Sequence, residues 1–477
     1  MEPEATAQPA AKVPLVLDLD GTLLRTDLLH ETFWAALGHD TAATLRVSIA
    51  HIGSPSRLKH ELAAIATPCI DLLPLEERLL ERVHTALGEG RPVHLVSGSA
   101  QGLVDAVAAR LGLPGPHFGS DRETNLTGDA KAGFLAQRFG TGRYDYAGNS
   151  DTDMKAWEGA REIIAVAPSQ RLRHRLERAG KPIDIIRQDW KFRALLQELR
   201  PSHWAKNALL FLPLLVAHDL DPGGLAQVAL AALAFSLGAS AIYILNDLLD
   251  LESDRRHPEK RNRPIASGLL PIQAATGASA VLVLLALIIA LGVSPAVGAL
   301  TLLYMIGSLT YSLMLKKRRW LDVLALALFF MLRVFTGAVA AGVPIPPILL
   351  ALGFTVFLAL ACAKRLTALS RLGAKGPLPG RGYSPADLLN LERIAYGSIA
   401  MAALLFLFYA SGPRAAELYA NPVLLAFAVI PLVIWLLRIV RLGIEGREDY
   451  DTVAFVLHDR AGWAILLAGL VLIVLAI

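Results

Sequence analysis

From about residue 205 to Ile477 the sequence is built of long apolar runs joined by short polar loops, which restricts the fold more than any other feature. A helix rises about 1.5 Å per residue, so roughly 20 apolar residues cross a bilayer, where each backbone polar group must be satisfied internally. Nine stretches read as spans, at about 203–218, 224–246, 271–291, 295–314, 321–341, 346–362, 395–412, 421–438 and 461–477, the first being short. Residues 199–477 are therefore expected to form an all-α, nine-helix transmembrane bundle. Only 18% of the chain is charged, against about one quarter in a soluble protein. The deficit falls in this half, whereas residues 1–200 have ordinary soluble composition.

Loop charges orient the spans. One side carries Arg255, Arg256, Lys260, Arg261 and Arg263, then Lys316 to Arg319. Lys364, Arg365, Arg371, Lys375, Arg381 and Arg393 follow on that side, then Arg438, Arg441, Arg447 and Arg460. The other side has Arg414 alone, so the basic loops and the N-terminal domain are expected in the cytoplasm of a bacterial inner membrane protein. The opening MEPEATAQPAAK has no apolar core; it reads as a disordered tail over 1–11 rather than a signal peptide. Cys69 and Cys362 lack metal-type spacing and read as free thiols. The basic residues follow the membrane, not a groove-reading motif, which argues against a nucleic-acid partner.

In the soluble half, the apolar run 13–17 ends in Asp18-Leu19-Asp20-Gly21-Thr22, a buried strand delivering two carboxylates into a turn. A mostly helical stretch follows. A second strand at 93–96 ends in Ser97-Gly98-Ser99, Lys131 opens a helix, and a third strand at 144–147 leads to Gly148-Asn149-Ser150-Asp151-Thr152-Asp153. Alternating strands and helices predict a doubly wound α/β sheet with its site at the carboxyl ends of the strands. The residues there suit phosphoryl transfer: a nucleophilic carboxylate, a second as acid/base, a screening magnesium ion, and serine and lysine for the phosphoryl oxygens.

This order of four motifs resembles the haloacid dehalogenase-like phosphatases over residues 12–170, with a helical cap over about 24–90. The resemblance implies Asp18 as nucleophile, Asp20 as acid/base, Ser97 and Lys131 as phosphate binders, and Asp18, Asp20, Asn149 and Asp153 around magnesium. The family usually has aspartate where Asn149 stands, so a noncatalytic binding or scaffolding domain is the competing reading. Residues 171–198 read as a linker.

At the cytoplasmic end of the second span stands Asn246-Asp247-Leu-Leu-Asp250-Leu-Glu-Ser-Asp254, followed by Arg255, Lys260 and Arg263. On a helix, Asp247, Asp250 and Asp254 share one face and would repel unless a cation sat among them. Oxygen ligands without histidine or cysteine favour magnesium, which usually shares its shell with substrate phosphates. The adjacent basic residues supply phosphate donors. Nine spans with NDxxDxxxD resemble the UbiA superfamily of intramembrane prenyltransferases over about 198–477. Arg200-Pro201-Ser-His-Trp204-Ala-Lys206-Asn207, DRRHPEKRNRPIASG at 254–268 and Tyr311-Ser312-Leu-Met-Leu-Lys316 are similar to the polyprenyl-phosphate phosphoribosyltransferases.

That resemblance implies phosphoribosyl diphosphate and a polyprenyl phosphate as substrates and one magnesium in each domain. Asp247 and Asp250 would be catalytic, with Asp254 as a further metal ligand. Asn246, Lys206, Asn207, Arg255, Lys260, Arg263, Tyr311, Lys316, Lys364 and Arg365 would bind substrate. Aromatic prenyltransferases carry a second acidic motif, DxxxD, near the fifth span; here Asp322 has no second aspartate. The alternative is prenyl transfer to an aromatic or other small acceptor, with a noncatalytic N-terminal domain. His203 and His257 read equally as interfacial hydrogen bonders or ligands. Loop 373–384 reads as a connection from which Arg381, Tyr383 and Ser384 could reach a polar substrate.

Overall fold

The computed structural model describes residues 12–187, 192–218, 220–373, 376–378, 380–447 and 459–477; the expected tail and Lys375 lie outside them. Two compact units are formed, Met1–Glu198 with Ile244–Ala278, and Leu199–Tyr243 with Ser279–Ile477.

The first unit holds a six-stranded parallel sheet in the order β3-β2-β1-β4-β5-β6. Its strands are β1 (Leu15–Leu17), β2 (Val93–Ala100), β3 (Phe118–Ser120), β4 (Asp145–Gly148), β5 (Ile163–Val166) and β6 (Ile183–Ile186). Strand β1 is fully buried because both faces are covered: Leu15 and Leu17 join one hydrophobic cluster, and Val16 joins the other with Tyr146 and Trp157. Leu15 pairs with Val93 on one side and Asp145 on the other. Strand order reverses between β1 and β4, the position where such sheets open a crevice at their carboxyl ends. Asp18 to Gly21 emerge there.

Three helices, α1 (Leu28–His39), α2 (Thr41–Ala50) and α3 (Pro55–Ile65), form the insertion expected as the cap. Asp27 and Asp40 cap the first two by accepting the N–H groups of His30 and Ala43. The sheet extends beyond the predicted 170. Ser169 caps Gln170–Glu177, and β6, expected within the linker, pairs with β5. The dense charge of 171–178 masks a short strand whose apolar residues acquire meaning only beside β5.

Among the described residues, seven helices are long and apolar enough to cross a membrane: Pro222–Leu249, Ile272–Val293, Pro295–Leu313, Leu321–Ala341, Pro347–Leu372, Pro385–Ala410 and Pro422–Ile444. Arg460–Ala476 is a shorter apolar helix. Pro222, Pro295, Pro347 and Pro422 open helices, since the missing N–H is one that the first turn leaves unpaired. The first expected span is not one α-helix: Pro201–Phe211 is 3-10 and Leu212–Ala217 a short α-turn. Pro213 offers no N–H, and His218 ends the segment in left-handed conformation. The sixth expected span continues to Leu372, which puts Lys364 and Arg365 inside a helix rather than at its end.

Candidate functional site

In the first unit Asp18 and Asp20 leave β1 at the switch point. Gly21 turns the chain at φ +70°, and a Cβ there would lie 2.1 Å from Asn149 Nδ2, so only glycine lets that amide rest on the turn. Lys131 Nζ donates to Asp18 Oδ1 at 2.9 Å, Tyr146 OH at 3.0 Å and Asp153 Oδ1 at 3.3 Å. The Tyr146 hydroxyl donates to the same Asp153 oxygen at 2.8 Å. Asp153 Oδ2 accepts the backbone N–H groups of Asn149 and Ser150 and the Ser150 hydroxyl. Both oxygens of Asp153 are thus committed to shaping the loop and holding Lys131, whereas the expectation was a metal-side carboxylate.

Asp20 Oδ1 accepts Leu28 N–H at 2.7 Å; its Oδ2 accepts Ser99 Oγ at 2.6 Å and Ser97 Oγ at 3.2 Å. Burial pushes the Asp18 carboxyl up to about 7 against the pull of Lys131, and burial also raises Asp20. Two carboxylates at one strand end, Asp18 against Lys131 and Asp20 against Ser97 and Ser99, are an arrangement that suits nucleophilic phosphoryl transfer. Asp18, Asn149 and the Asp20 turn offer oxygen donors of the kind magnesium takes. Lys59, from α3, donates to Asn125 Oδ1 at 3.1 Å and to the Gly98 carbonyl, beside Ser97 and Ser99. Sequence reasoning missed Lys59, Ser99 and Tyr146; only Ser99 had a signal, its alternation with Ser97 along β2.

The acidic stretch also belongs to the first unit. The expected single helical face is broken: the helix ends at Leu249, and Asp250, at φ −98° and ψ 12°, starts the short helix Leu251–Arg256. Asp247 and Asp254 nevertheless converge. Arg263 Nη1 donates to Asp247 Oδ1 at 2.9 Å and Asp254 Oδ2 at 2.6 Å, and Lys260 Nζ stands 3.6 Å from Asp254 Oδ1. Burial raises the Asp254 carboxyl while Arg263 opposes it. Asn246 Oδ1 is buried without a hydrogen-bond partner among the described residues. Among the described residues no three His, Cys, Asp or Glu side chains cluster as a metal cage; basic groups stand between the carboxylates instead. Two carboxylates and an unused amide oxygen suit a magnesium ion that completes its shell with substrate oxygens. Arg255 does not face this site: it donates twice to Glu31, at 2.6 and 3.1 Å, and to Ala266 O.

The second unit holds two buried polar clusters. Asp322 is fully buried and accepts Arg365, Arg381 Nη1 at 2.8 Å and Tyr311 OH at 2.8 Å. Arg365 and Arg381 also reach the Tyr311 hydroxyl. Asn207 donates to Ser236 Oγ and accepts Arg333 Nε at 2.9 Å, and Arg333 donates to Tyr304 OH at 2.9 Å. Tyr311, Arg365 and Asn207, expected at substrate, therefore have protein partners. Arg333 went unread because a lone arginine inside an apolar run carries no motif. Lys206 and Lys316 lie on the 3-10 stretches Pro201–Phe211 and Leu315–Lys317, and Lys364 lies on Pro347–Leu372. An apolar cavity of about 280 Å³, with Met331, Val334, Phe357, Tyr409 and Leu432 in its wall, lies toward the helix ends away from Asp322.

Residues 208–455 match the sequence model of the UbiA prenyltransferase family. The chain is 34% identical over 467 residues to an uncharacterised protein of Sinorhizobium fredii, covering 95% of this chain and 89% of that one. It is 34% identical to the nodulation protein NoeC of Azorhizobium caulinodans, covering 56% and 88%. It is 33% identical to the decaprenyl-phosphate phosphoribosyltransferase of Corynebacterium glutamicum, covering 45% and 67%. A UbiA homolog from Archaeoglobus fulgidus, solved with GPP and Mg2+, is 17% identical with a TM-score of 0.45 and covers 59% of this chain and 99% of its own.

Proposed function

The chain belongs to the UbiA prenyltransferase family, and from that premise we propose that it is a membrane transferase moving 5-phosphoribose from phosphoribosyl diphosphate to a polyprenyl phosphate. The observation that carries this reading is Asp322, whose carboxylate is committed to Arg365, Arg381 and Tyr311. A prenyl diphosphate held between two acidic motifs would need that carboxylate. The donor instead meets one acidic loop and a basic side chain, Arg263, already aimed between Asp247 and Asp254. Similarity to decaprenyl-phosphate phosphoribosyltransferases supports the same donor.

Asp247, Asp254 and Asn246, with Asp250 beside them, would hold magnesium, which when bound screens the diphosphate charge. Arg263 and Lys260 bind and orient the leaving diphosphate. The ribosyl C1–O bond breaks, and diphosphate departs with the electron pair. A phosphate oxygen of the lipid supplies the electrons for the new C1–O bond; that phosphate is already anionic, so no side chain has to remove a proton. The basic loops support a bacterial inner membrane protein whose acidic loop and α/β domain face the cytoplasm, with Pro201–Ala217 and Arg460–Ala476 as short crossings beside the seven long helices. The α/β domain is a haloacid dehalogenase-like phosphatase with its own magnesium. Asp18 attacks the phosphorus of the product's 5-phosphate as its bond to the ribose oxygen breaks, Lys131 and Ser97 steady the phosphoryl oxygens, and Asp20 hands its proton to that oxygen; a water deprotonated by Asp20 then attacks the acyl phosphate, releasing inorganic phosphate and restoring the Asp18 carboxylate.

The test is the full chain in membranes with isotope-labelled phosphoribosyl diphosphate, polyprenyl phosphate and magnesium. Labelled lipid is expected, and it keeps its 5-phosphate when Asp18 is changed to Asn. No labelled lipid, with turnover of a prenyl diphosphate and an aromatic acid instead, overturns the reading.

A further inference from the structure

Glu31 is a buried carboxylate that the phosphatase chemistry leaves unused. It sits one turn into α1, 3% exposed, and accepts the Thr26 hydroxyl at 2.7 Å. Its main partner lies 224 residues away: both Arg255 side-chain amino groups donate to it, at 3.1 and 2.6 Å. Arg255 adjoins Asp254 on the helix Leu251–Arg256, and Asp254 in turn holds Arg263. Further contacts tie the α/β domain to the segment after that helix. Trp34 Nε1 donates to Thr276 Oγ1 at 3.3 Å. Gly268, at φ +74°, is so close that a Cβ would lie 2.8 Å from Arg25 Cβ and 3.0 Å from Pro74 Cγ. All these residues belong to one compact unit.

We propose that Glu31 is a positioning residue of the transferase: through Arg255 it fixes the acidic loop that receives the diphosphate, so the α/β domain is required for donor binding. The inference rests on the donor-site reading above. Bidentate arginine–carboxylate pairs set distance and plane together, and a buried pair leaves its partner no alternative geometry. Arg255 ties the helix that carries Asp254 to Glu31 and to the Ala266 carbonyl, so it acts one step further out than a group bonded to the ligating carboxylate, whose loss typically costs about 10–100-fold in affinity. Helix α1 also gives its Leu28 N–H to Asp20, so one 12-residue helix braces both reaction centres.

The experiment titrates inorganic diphosphate with magnesium into the full chain in nanodiscs, by calorimetry. Wild type, Glu31→Gln and Glu31→Asp are compared, with Arg255→Lys as a second route to the same contact should Glu31→Gln unfold. Glu31→Gln and Arg255→Lys are expected to weaken magnesium-dependent diphosphate binding about tenfold or more, with Glu31→Asp recovering part of it. With the ribosyl donor, KM rises by a similar factor while kcat at saturating donor changes little. Unchanged diphosphate binding in folded Glu31→Gln overturns this inference alone, as does an equal fall of kcat with no change in KM. Absence of magnesium-dependent diphosphate binding in the wild type overturns the donor-site reading together with it.

Discussion

Replacing Arg263 with glutamine should move two affinities in opposite directions. One guanidinium nitrogen bridges Asp247 at 2.9 Å and Asp254 at 2.6 Å. Oxygens sharing that nitrogen are at most about 5.5 Å apart. With an effective dielectric of about 20, two unit charges at that distance repel by roughly 3 kcal/mol, the energy the arginine offsets. Glutamine leaves the repulsion for a divalent cation to relieve. Magnesium alone should then bind tighter, by up to about 100-fold and in practice nearer tenfold after side-chain relaxation. On the proposed donor site, the diphosphate loses a charge-assisted hydrogen bond, worth about 1.5–3 kcal/mol, so its KM rises about tenfold or more. Asp254 is already raised by burial, and losing its main opposing cation raises it further, so the gain in metal affinity should shrink as pH falls and protons compete. Magnesium titration by calorimetry at pH 6 and pH 8, beside donor kinetics, reads all three. Weaker magnesium binding and weaker donor binding together would refute the electrostatic account and make Arg263 a structural strut.

In chelator, Asp18 should make the α/β domain less stable as pH rises. Its carboxyl is about 7 in the fold against 3.8 in the free side chain, so the stability it contributes is complete below about pH 3.8 and lost by about pH 7. The upper bound is about 4 kcal/mol, and denaturant titration followed by the buried Trp157 should show a slope that Asp18→Asn removes. Arg365→Leu leaves the buried Asp322 with two of its three partners and should cost about 3 kcal/mol in detergent unfolding; adding Asp322→Leu should restore only part of it, because Arg381 then loses its carboxylate. Gly268→Ala, strained by its positive φ and facing Arg25 and Pro74, should lower stability by about 1–3 kcal/mol in the same assay.

What the sequence reveals and what it hides divide along one physical line. Apolar length and spacing are local, so seven of the spans, the parallel sheet and both carboxylate turns could be read directly. Motif order placed Asp18, Asp20, Ser97 and Lys131 at the same strand ends, and the structure brings them together. Partner choice is not local. Nothing in the run 254–268 tells that Arg263 turns to the carboxylates while Arg255 turns away. Arg365 and Arg381 reach Asp322 from positions 43 and 59 residues on, and the sequence offers no reason to pair them. The first span failed for a different reason. Apolar composition measures transfer to lipid, whereas Pro213 and the 3-10 stretch before it concern backbone geometry, which hydropathy does not see.

The chain divides at Glu198 and Leu199, where composition suggests, yet the first unit takes back a later segment. Composition changes near residue 200, which invites cutting the chain there to assay the α/β domain alone. The compact unit, however, includes Ile244–Ala278. A fragment ending near 195 would strip Arg255 from Glu31 and Thr276 from Trp34, which are 3% and 5% exposed. A buried carboxylate that loses its arginine either protonates or draws in water, and both loosen the start of α1. That start supplies the Leu28 N–H that holds Asp20. On the proposed phosphatase reading, the fragment would lose activity even with Asp18, Asp20, Ser97 and Lys131 present, and an inactive fragment would not argue that Asn149 has silenced the domain. Asp18→Asn in the full chain separates the two explanations, because it removes the proposed nucleophile and leaves the bracing of α1 intact.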